Sequence, residues 1–277
     1  MEDKVFSRTL NIAHRGARSL APENTMAAAK KAHEIGADMW ELDVCMTCDG
    51  ELILLHDDTL VRTSNAAEVF PSRSPWRVCD FTFEEIRRLD FGSWFNIIDP
   101  FGQINSGHVT LPERLKFSDE PAPTLREALE FTKHHDWKVN VEIKDLTGTN
   151  GHALVAEKVV KLIRDFGIHE DVIISSFQHD YIKQVKLLDP LINLAVLVEE
   201  EVPDPIGLVK SLGAQAYNPK SGAISPDRIT QLREQGIDVY VYTVNDPAEM
   251  AQLVRAQASG IFTDYPQILK NVLASFG

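Results

Sequence analysis

Eight short segments that read as strands, each eventually followed by a helical segment, constrain the fold of this 277-residue chain most strongly. Their centres lie near Asn11, Glu41, Asn140, Ile173, Ala195, Gln215, Tyr240 and Phe262. Eight such units predict an α/β fold, a closed (β/α)8 TIM barrel of parallel strands. A doubly wound open sheet is the alternative, but no nucleotide-type glycine loop follows the first strand to support it.

Local signals place the first two units. Asn24 is expected to cap a helix over 25–35, and Gly36 stands just past the end of that helix. In the next strand, 39–45, apolar residues alternate with Glu41 and Asp43. This period of two puts both carboxylates on one face of the strand.

Residues 47–121 interrupt the alternation and are rich in aromatic side chains. Asp49-Gly50 predicts a tight hairpin turn, and 82–89 is the only stretch with a helical pattern, opened by a capping box of Thr82 and Glu85. We therefore expect one domain over 1–277 with an inserted subdomain at about 47–121. The aromatic residues either form the core of this insertion or cover the substrate, and the sequence leaves both open.

The net charge of −13, from 41 acidic and 28 basic residues, argues against nucleic acid and against stable membrane association. Residues 1–8 contain no apolar core, so no secretory signal is predicted, and the apolar runs are too short to span a bilayer. Three cysteines, an odd number, predict no disulfide framework. A cytoplasmic protein is expected, and assembly into a homo-oligomer is left open.

Charged residues collect where the first three barrel strands end, and a barrel carries its chemistry at this rim. Strand one leads into His14 and Arg15, strand two supplies Glu41 and Asp43, strand three supplies Glu142 and Lys144, and the excursion begins at His56.

Three converging carboxylates repel one another unless they are protonated or bind a cation, and oxygen ligands select Mg²⁺ or Ca²⁺. A structural ion-pair network with Arg15 and Lys144 is the alternative interpretation. A metal, an Arg and a Lys together neutralise a phosphoryl group, and two histidines suit general acid–base work. The rim therefore predicts phosphodiester cleavage.

In order along the chain, nine short motifs resemble the glycerophosphodiester phosphodiesterase family: His14-Arg-Gly16, Pro22-Glu-Asn-Thr25, Glu41-Leu-Asp43, Asp49-Gly50, His56-Asp57, Glu142-Ile-Lys144, Ser175-Ser-Phe177, Tyr242-Thr-Val-Asn245 and Thr263-Asp-Tyr-Pro266. The resemblance implies a phosphatidylinositol-phospholipase-like barrel that binds one divalent metal ion, Mg²⁺ or Ca²⁺. It implies hydrolysis of glycerophosphodiesters such as glycerophosphocholine to sn-glycerol 3-phosphate and an alcohol. Attack by water and attack by the substrate's own hydroxyl, through a cyclic phosphate, both stay open.

The resemblance also implies roles for seven residues. Glu41, Asp43 and Glu142 would bind the metal, His14 and His56 would form the acid–base pair, and Arg15 and Lys144 would hold the phosphate.

Three aromatic residues, Phe177, Tyr242 and Trp94, are assigned to the substrate pocket, and Tyr242 stands where the family usually has Trp. Cys45 and Cys48 have C-x-x-C spacing, but the first ends a strand, so inert thiols are expected. A lysophospholipase D or sphingomyelinase-like enzyme on the same fold is one alternative function. A metal-dependent barrel lyase and a non-catalytic phosphate-binding protein are the others.

Overall fold

The structure, a computed structural model, describes residues 8–276. Residues 1–7, part of the stretch in which no secretory signal is predicted, lie outside the described residues. The strands of the described part are β1 Leu10–Ala13, β2 Met39–Met46, β3 Leu52–Leu54, β4 Lys138–Ile143, β5 Val172–Ser176, β6 Asn193–Val198, β7 Ala216–Pro219, β8 Asp238–Val241 and β9 Gly260–Thr263.

Eight of these strands close into a parallel barrel. The sheet runs β1-β9-β8-β7-β6-β5-β4-β2, and β1 also pairs in parallel with β2, which joins the two edges. β3 lies outside this ring as the antiparallel partner of β2. The closed barrel confirms the predicted TIM fold and excludes the open sheet.

Helices follow the barrel strands on the outside of the ring. Within residues 8–276 they are α1 Met26–Ile35, α2 Ala66–Val69, α3 Phe83–Ile86, α4 Ser93–Ile98, α5 Leu111–Phe117, α6 Leu125–His134, α7 Val155–Phe166, α8 His179–Leu188, α9 Pro205–Ser211, α10 Pro226–Glu234, α11 Pro247–Arg255 and α12 Pro266–Ala274. None of these helices combines the length and apolar character needed to cross a membrane.

The predicted cap of the first helix is wrong. Thr25, not Asn24, caps α1: its hydroxyl oxygen accepts a hydrogen bond from the Ala28 amide at 3.2 Å. Asn24 instead has a φ of +54°, and its side-chain amide donates to Asp43 at 2.8 Å. Asn24 therefore does not cap α1, because its side chain is hydrogen-bonded to Asp43 inside the barrel.

The segment between β3 and β4 contains more helix than its sequence pattern suggests. The capping box of Thr82 and Glu85 opens α3 as predicted, but α2, α4 and α5 also form, so the expectation of a single helical stretch is wrong. A second capping box, Thr110 with Glu113, starts α5. These helices have four to seven residues, too few to show a helical period. The boundaries of an inserted subdomain at about 47–121 stay a prediction.

The barrel interior changes from apolar to polar along its axis. One layer is made by six apolar residues that pack together: Ile12, Met39, Ala195, Ala216, Tyr240 and Phe262. On β2, the positions that share a face with Met39 are Glu41 and Asp43, one and two pleats further toward the carboxyl end. The apolar layer therefore forms a floor beneath the carboxylates.

Candidate active site

Strand register brings the three predicted metal ligands together. β2 and β4 are paired so that Asp43 stands directly opposite Glu142, and Glu41 precedes Asp43 by two residues on the same face. One carboxylate oxygen from each residue lies within 4.8 Å of the others. That spacing is about twice a Ca–O bond, so the oxygens could surround one hard cation.

The hydrogen bonds of these carboxylates leave oxygens for such an ion. Among the described residues, Glu41 Oε1 and Asp43 Oδ1 are buried and have no hydrogen-bond partner. The second oxygens are satisfied: Glu41 Oε2 accepts from the Arg15 amide at 2.7 Å, and Asp43 Oδ2 from Asn24 at 2.8 Å. Buried oxygens without donors are costly unless a cation binds them, so the residues fit a divalent metal.

The three acids do not share negative charge equally. Burial, followed by the charges of Asp43 and Glu142, raises the pKa of Glu41 well above its usual range. Burial also opposes ionisation of Asp43, but Lys144 and Arg15 outweigh it and hold the pKa of that carboxyl far below its usual range. Burial and then Asp43 raise the pKa of Glu142. Asp43 is thus the acid of the cluster that most readily carries a negative charge.

Two cations flank the acids where the sequence placed them. Lys144 Nζ lies 2.6 Å from Glu142 Oε1 and 3.4 Å from Asp43 Oδ1. Arg15 Nε lies 3.2 Å from Asp43 Oδ2, and the Arg15 backbone is held in the left-handed region at a φ of +54°. An anion drawn to the metal would therefore meet both an ammonium and a guanidinium.

His14 is held by a carboxylate that directly follows the last barrel strand. Its Nδ1 lies 2.7 Å from Asp264 Oδ1, and Asn245 donates to the other oxygen, Oδ2, at 2.7 Å. Burial and then Arg15 lower the pKa of His14, although Asp264 opposes them. Since an ionised Asp264 can only accept, Nδ1 carries the proton and Nε2 is left free to act on substrate.

His56 has the same kind of partner, supplied by its neighbour in sequence. Its Nδ1 lies 2.8 Å from Asp57 Oδ1, and Arg62 donates to both oxygens of Asp57 at 2.6 and 2.9 Å. Burial opposes ionisation of Asp57, but the hydrogen bonds from His56 and Arg62 hold its pKa below its usual range. Both predicted catalytic histidines are therefore fixed at Nδ1 by a charged aspartate.

A cleft of about 550 Å³ opens beside His56 and Lys144. Its walls include Cys45, Arg77 and the 145–149 loop that follows β4. Burial strongly raises the pKa of the Cys45 thiol, which agrees with the expectation of an inert cysteine. The cleft is large enough for a small substituent next to His56.

The predicted pocket aromatics are divided between two places. Phe177 and Tyr242 meet edge to face with ring centroids 5.9 Å apart, and the Tyr242 hydroxyl donates to the Val198 carbonyl at 2.9 Å. Trp94 packs against Phe95 and donates to the Phe91 carbonyl at 2.9 Å. Its contacts thus lie within the segment between β3 and β4, and its role in the pocket stays a prediction.

Sequence reasoning did not identify the aspartates that hold the histidines. Asp57 could have been found, because it directly follows His56 in the chain. Asp264 carries a weaker signal, its position just after the last barrel strand, at the same rim. Its pairing with His14 spans 250 residues and depends on closure of the barrel.

Known proteins resemble this chain over most of its length. Residues 14–268 match the model of the glycerophosphoryl diester phosphodiesterase family. A glycerophosphodiester phosphodiesterase of Caldanaerobacter subterraneus subsp. tengcongensis is 36% identical over 98% of this chain and all of its own length. One of Bacillus subtilis is 31% identical over 96% of this chain and 86% of that protein.

Solved structures share the fold. The glycerophosphodiester phosphodiesterase of Agrobacterium tumefaciens has 26% identity and a TM-score of 0.74, covering 95% of this chain and 99% of that one. An Oleispira antarctica phosphodiesterase, solved in complex with the product sn-glycerol-3-phosphate, has 23% identity and a TM-score of 0.81, covering 97% of each chain. The family match spans most of the chain, and two full-length relatives exceed 30% identity. The chain therefore belongs to the glycerophosphoryl diester phosphodiesterase family.

Proposed function

We propose that this phosphodiesterase hydrolyses small glycerophosphodiesters, such as glycerophosphocholine and glycerophosphoethanolamine, to sn-glycerol 3-phosphate and an alcohol. The observation that carries the proposal is the arrangement at the rim: two aspartate-held histidines accompany three clustered carboxylates, and Glu41 and Asp43 each have a buried oxygen without a hydrogen-bond partner. The activity for which the relatives are named and the product bound in the Oleispira antarctica structure support the substrate class.

In this proposal Glu41, Asp43 and Glu142 hold one Mg²⁺ or Ca²⁺. Bound there, the ion would withdraw charge from the phosphoryl oxygens as a Lewis acid. Arg15 and Lys144 would bind the remaining phosphate charge, so a monoanionic phosphodiester would bind better than a neutral ester.

His14 and His56 divide the proton transfers. The pKa of His14 is lowered by burial and by Arg15, so the ring is neutral at pH 7 and Nε2 can accept the proton of the attacking hydroxyl. His56 would give a proton to the departing alcohol, which would occupy the 550 Å³ cleft beside it. Asp264 and Asp57 hold the two rings in the orientation that each transfer needs.

A panel of glycerophosphodiesters, assayed by release of glycerol 3-phosphate with and without EDTA, tests this proposal. We expect release from at least glycerophosphocholine or glycerophosphoethanolamine, loss of it with EDTA and recovery with Mg²⁺ or Ca²⁺. Activity that is unaffected by chelation would remove the metal from the mechanism. His14→Ala and His56→Ala should each lower kcat by about 100-fold or more, and near wild-type rates in either would exclude that residue.

One observation favours a second candidate function, lysophospholipase D activity. Ile97 and Ile98 on α4 are 82% and 60% exposed, and Leu111 and Leu115 on α5 are 63% and 68% exposed. Exposed apolar side chains of this kind could contact an acyl chain. Hydrolysis of lysophosphatidylcholine that falls in a Leu115→Ser variant, with glycerophosphocholine hydrolysis unchanged, would favour this second function.

A further inference from the structure

Three arginines converge on one buried carboxylate, Glu23, in the loop after β1. Glu23 Oε1 accepts hydrogen bonds from Arg15 Nη1 at 2.9 Å and from Arg62 Nη2 at 2.7 Å. Its Oε2 accepts from Arg18 Nη2 at 2.6 Å. The Glu23 side chain is only 3% exposed, so these charge-assisted bonds are shielded from water.

One branch of this cluster leads to His14. Arg18 Nη1 lies 3.5 Å from Oδ1 of Asp264, the oxygen that also contacts His14 Nδ1. The Arg18 guanidinium also stacks over Phe101, 5.3 Å from the ring centroid, and Phe101 packs edge to face on Tyr265. Arg18 is thus confined between Glu23 and the partner of the first histidine.

The other branch leads to His56. Arg62 donates to Glu23 and, through Nε and Nη2, to both oxygens of Asp57, which holds His56 Nδ1. Arg62 belongs to the segment that leaves the barrel after β3, whereas Glu23 and Arg15 belong to the loop after β1. Glu23 therefore joins two separate loops, and each loop carries one of the histidines.

The surrounding arginines hold the Glu23 carboxylate in its ionised form. Burial alone would raise the pKa of Glu23, but Arg15, the Arg62 hydrogen bond and Arg18 lower it to about 2. The carboxylate is therefore ionised at neutral pH. Loss of its charge would leave Arg15, Arg18 and Arg62 with only their other partners, Asp43, Asp264 and Asp57. Their guanidinium groups would then move toward those acids or toward water.

We propose that Glu23 is a positioning residue that fixes the separation of the two histidines. The inference rests on the proposed acid–base roles of His14 and His56. It assigns Glu23 no contact with substrate or with the reacting atoms. Its effect reaches the reaction through Arg18 and Arg62, which act on the aspartates behind the rings.

A double-mutant cycle on kcat tests the coupling, because a merely local packing role would leave the two branches independent. Arg62→Gln and Arg18→Gln should each lower kcat by about tenfold. If Glu23 connects the branches, the double variant should lose at least about fivefold less than the product of the two single losses. In a Glu23→Gln background, the kcat losses from Arg18→Gln and Arg62→Gln should be independent of each other, or each change should have little further effect on kcat.

The division between kcat and KM gives a second readout. Glu23→Gln should lower kcat about 30-fold with less than a threefold change in KM, because Arg15 can still reach the phosphate. Calorimetric affinity for Mg²⁺ or Ca²⁺ should stay within about threefold of wild type, since Glu23 contacts none of the three acids in the cluster. Arg73→Gln is the matched control: Arg73 is about as exposed as Arg62 and pairs with Glu85 at 2.7 Å.

The control change should leave kcat unaltered and combine with Arg18→Gln without coupling. Independent losses for Arg18 and Arg62 in the wild-type background would overturn the proposal. If Glu23→Gln does not fold, the cycle on the two arginines decides alone. Loss of activity in His14→Ala and His56→Ala, together with uncoupled arginines, would overturn this inference while leaving the proposed function in place.

Discussion

Asp264 Oδ1 lies 2.7 Å from His14 Nδ1, and the same carboxylate is fixed from behind by Asn245, which donates to Oδ2 and accepts from the Asp264 amide. An aspartate in this position keeps the proton on Nδ1 and stabilises the charged ring once it has accepted a second proton. The pairing therefore decides which nitrogen of His14 is available for chemistry.

Asp264→Asn should lower kcat by at least about 100-fold, because an amide can donate to Nδ1 and so favour the wrong tautomer of His14. Steady-state hydrolysis of glycerophosphocholine measures the loss. Asp189→Asn is the control, since Asp189 contacts His169 at 3.1 Å in another part of the barrel, and kcat should not change. A comparable loss in both variants would point to a general effect on folding.

The pH profile should show that His14 acts in its neutral form. Burial and then Arg15 lower the pKa of His14 below its ordinary value of 6.5, so the ring stays neutral until the pH falls below 6.5. The acidic limb of kcat/KM should therefore lie below pH 6.5 in the wild type. In Asp264→Asn the limb should move to still lower pH, because Asp264 is one of the groups that raise this pKa. Movement to higher pH would contradict the assignment.

Glu41→Gln should have opposite effects on metal binding and on stability without metal. Burial and the neighbouring acids raise the pKa of Glu41, which shows that its negative charge is unfavourable in the protein alone. Removal of that charge should raise Tm in EDTA by about 2–4 °C and abolish the rise in Tm on addition of Mg²⁺ or Ca²⁺. Glu51→Gln, at the hairpin beyond β2, should change neither quantity. A lower Tm in EDTA would indicate that Arg15 needs the charge of Glu41 for folding.

Lys144→Met should change the affinity for metal and the affinity for substrate in opposite directions. Lys144 lies within 3.4 Å of both Asp43 and Glu142, so its loss should tighten divalent-metal binding about fivefold. The same change should raise KM for glycerophosphodiesters about tenfold or more, because one phosphate-binding cation is gone. Calorimetry and steady-state kinetics check the two directions. Lys183→Met, which breaks a surface pair with Asp180, should alter neither.

Gly16→Ala should be strongly destabilising. Gly16 has a φ of +78°, and a Cβ there would lie 2.6 Å from the Ala28 carbonyl carbon of α1. We expect a loss of about 3 kcal/mol in the free energy of unfolding, from backbone strain and overpacking together. Gly102→Ala isolates the strain: Gly102 has a φ of +65°, but a Cβ would meet no atom within 4 Å. Equal losses in urea denaturation of the two variants would show that the contact with α1 does not matter.

Much of the barrel could be predicted because its signals are local. Parallel strands that are buried on both faces give short apolar runs, and Ser225-Pro226 and Thr124 start α10 and α6 as their residue types suggest. The cap of α1 was wrong because Asp43, distant in sequence, hydrogen-bonds the side chain of Asn24. Between β3 and β4, α3 was predicted from its capping box, but α2, α4 and α5 were missed because they are too short to show a helical period.

The site residues at strand ends could be predicted, but the residues that position them could not. His14, Glu41, Asp43 and Glu142 were identified because strand ends meet at one rim, and Asp43 and Glu142 do stand opposite each other. Asp264 and Glu23 were not identified, because nothing local distinguishes a carboxylate that holds a catalytic ring from one on the surface. Their roles depend on side-chain contacts that span up to 250 residues.

Closure of the ring between β1 and β9 also sets the order in which the enzyme can become competent during synthesis. Asp264 follows His14 by 250 positions in the chain and comes directly after β9. A nascent chain that still lacks β9 can carry the acid cluster and both histidines without the carboxylate that orients His14. Full activity should thus first arise only after β9 and Asp264 have been synthesised.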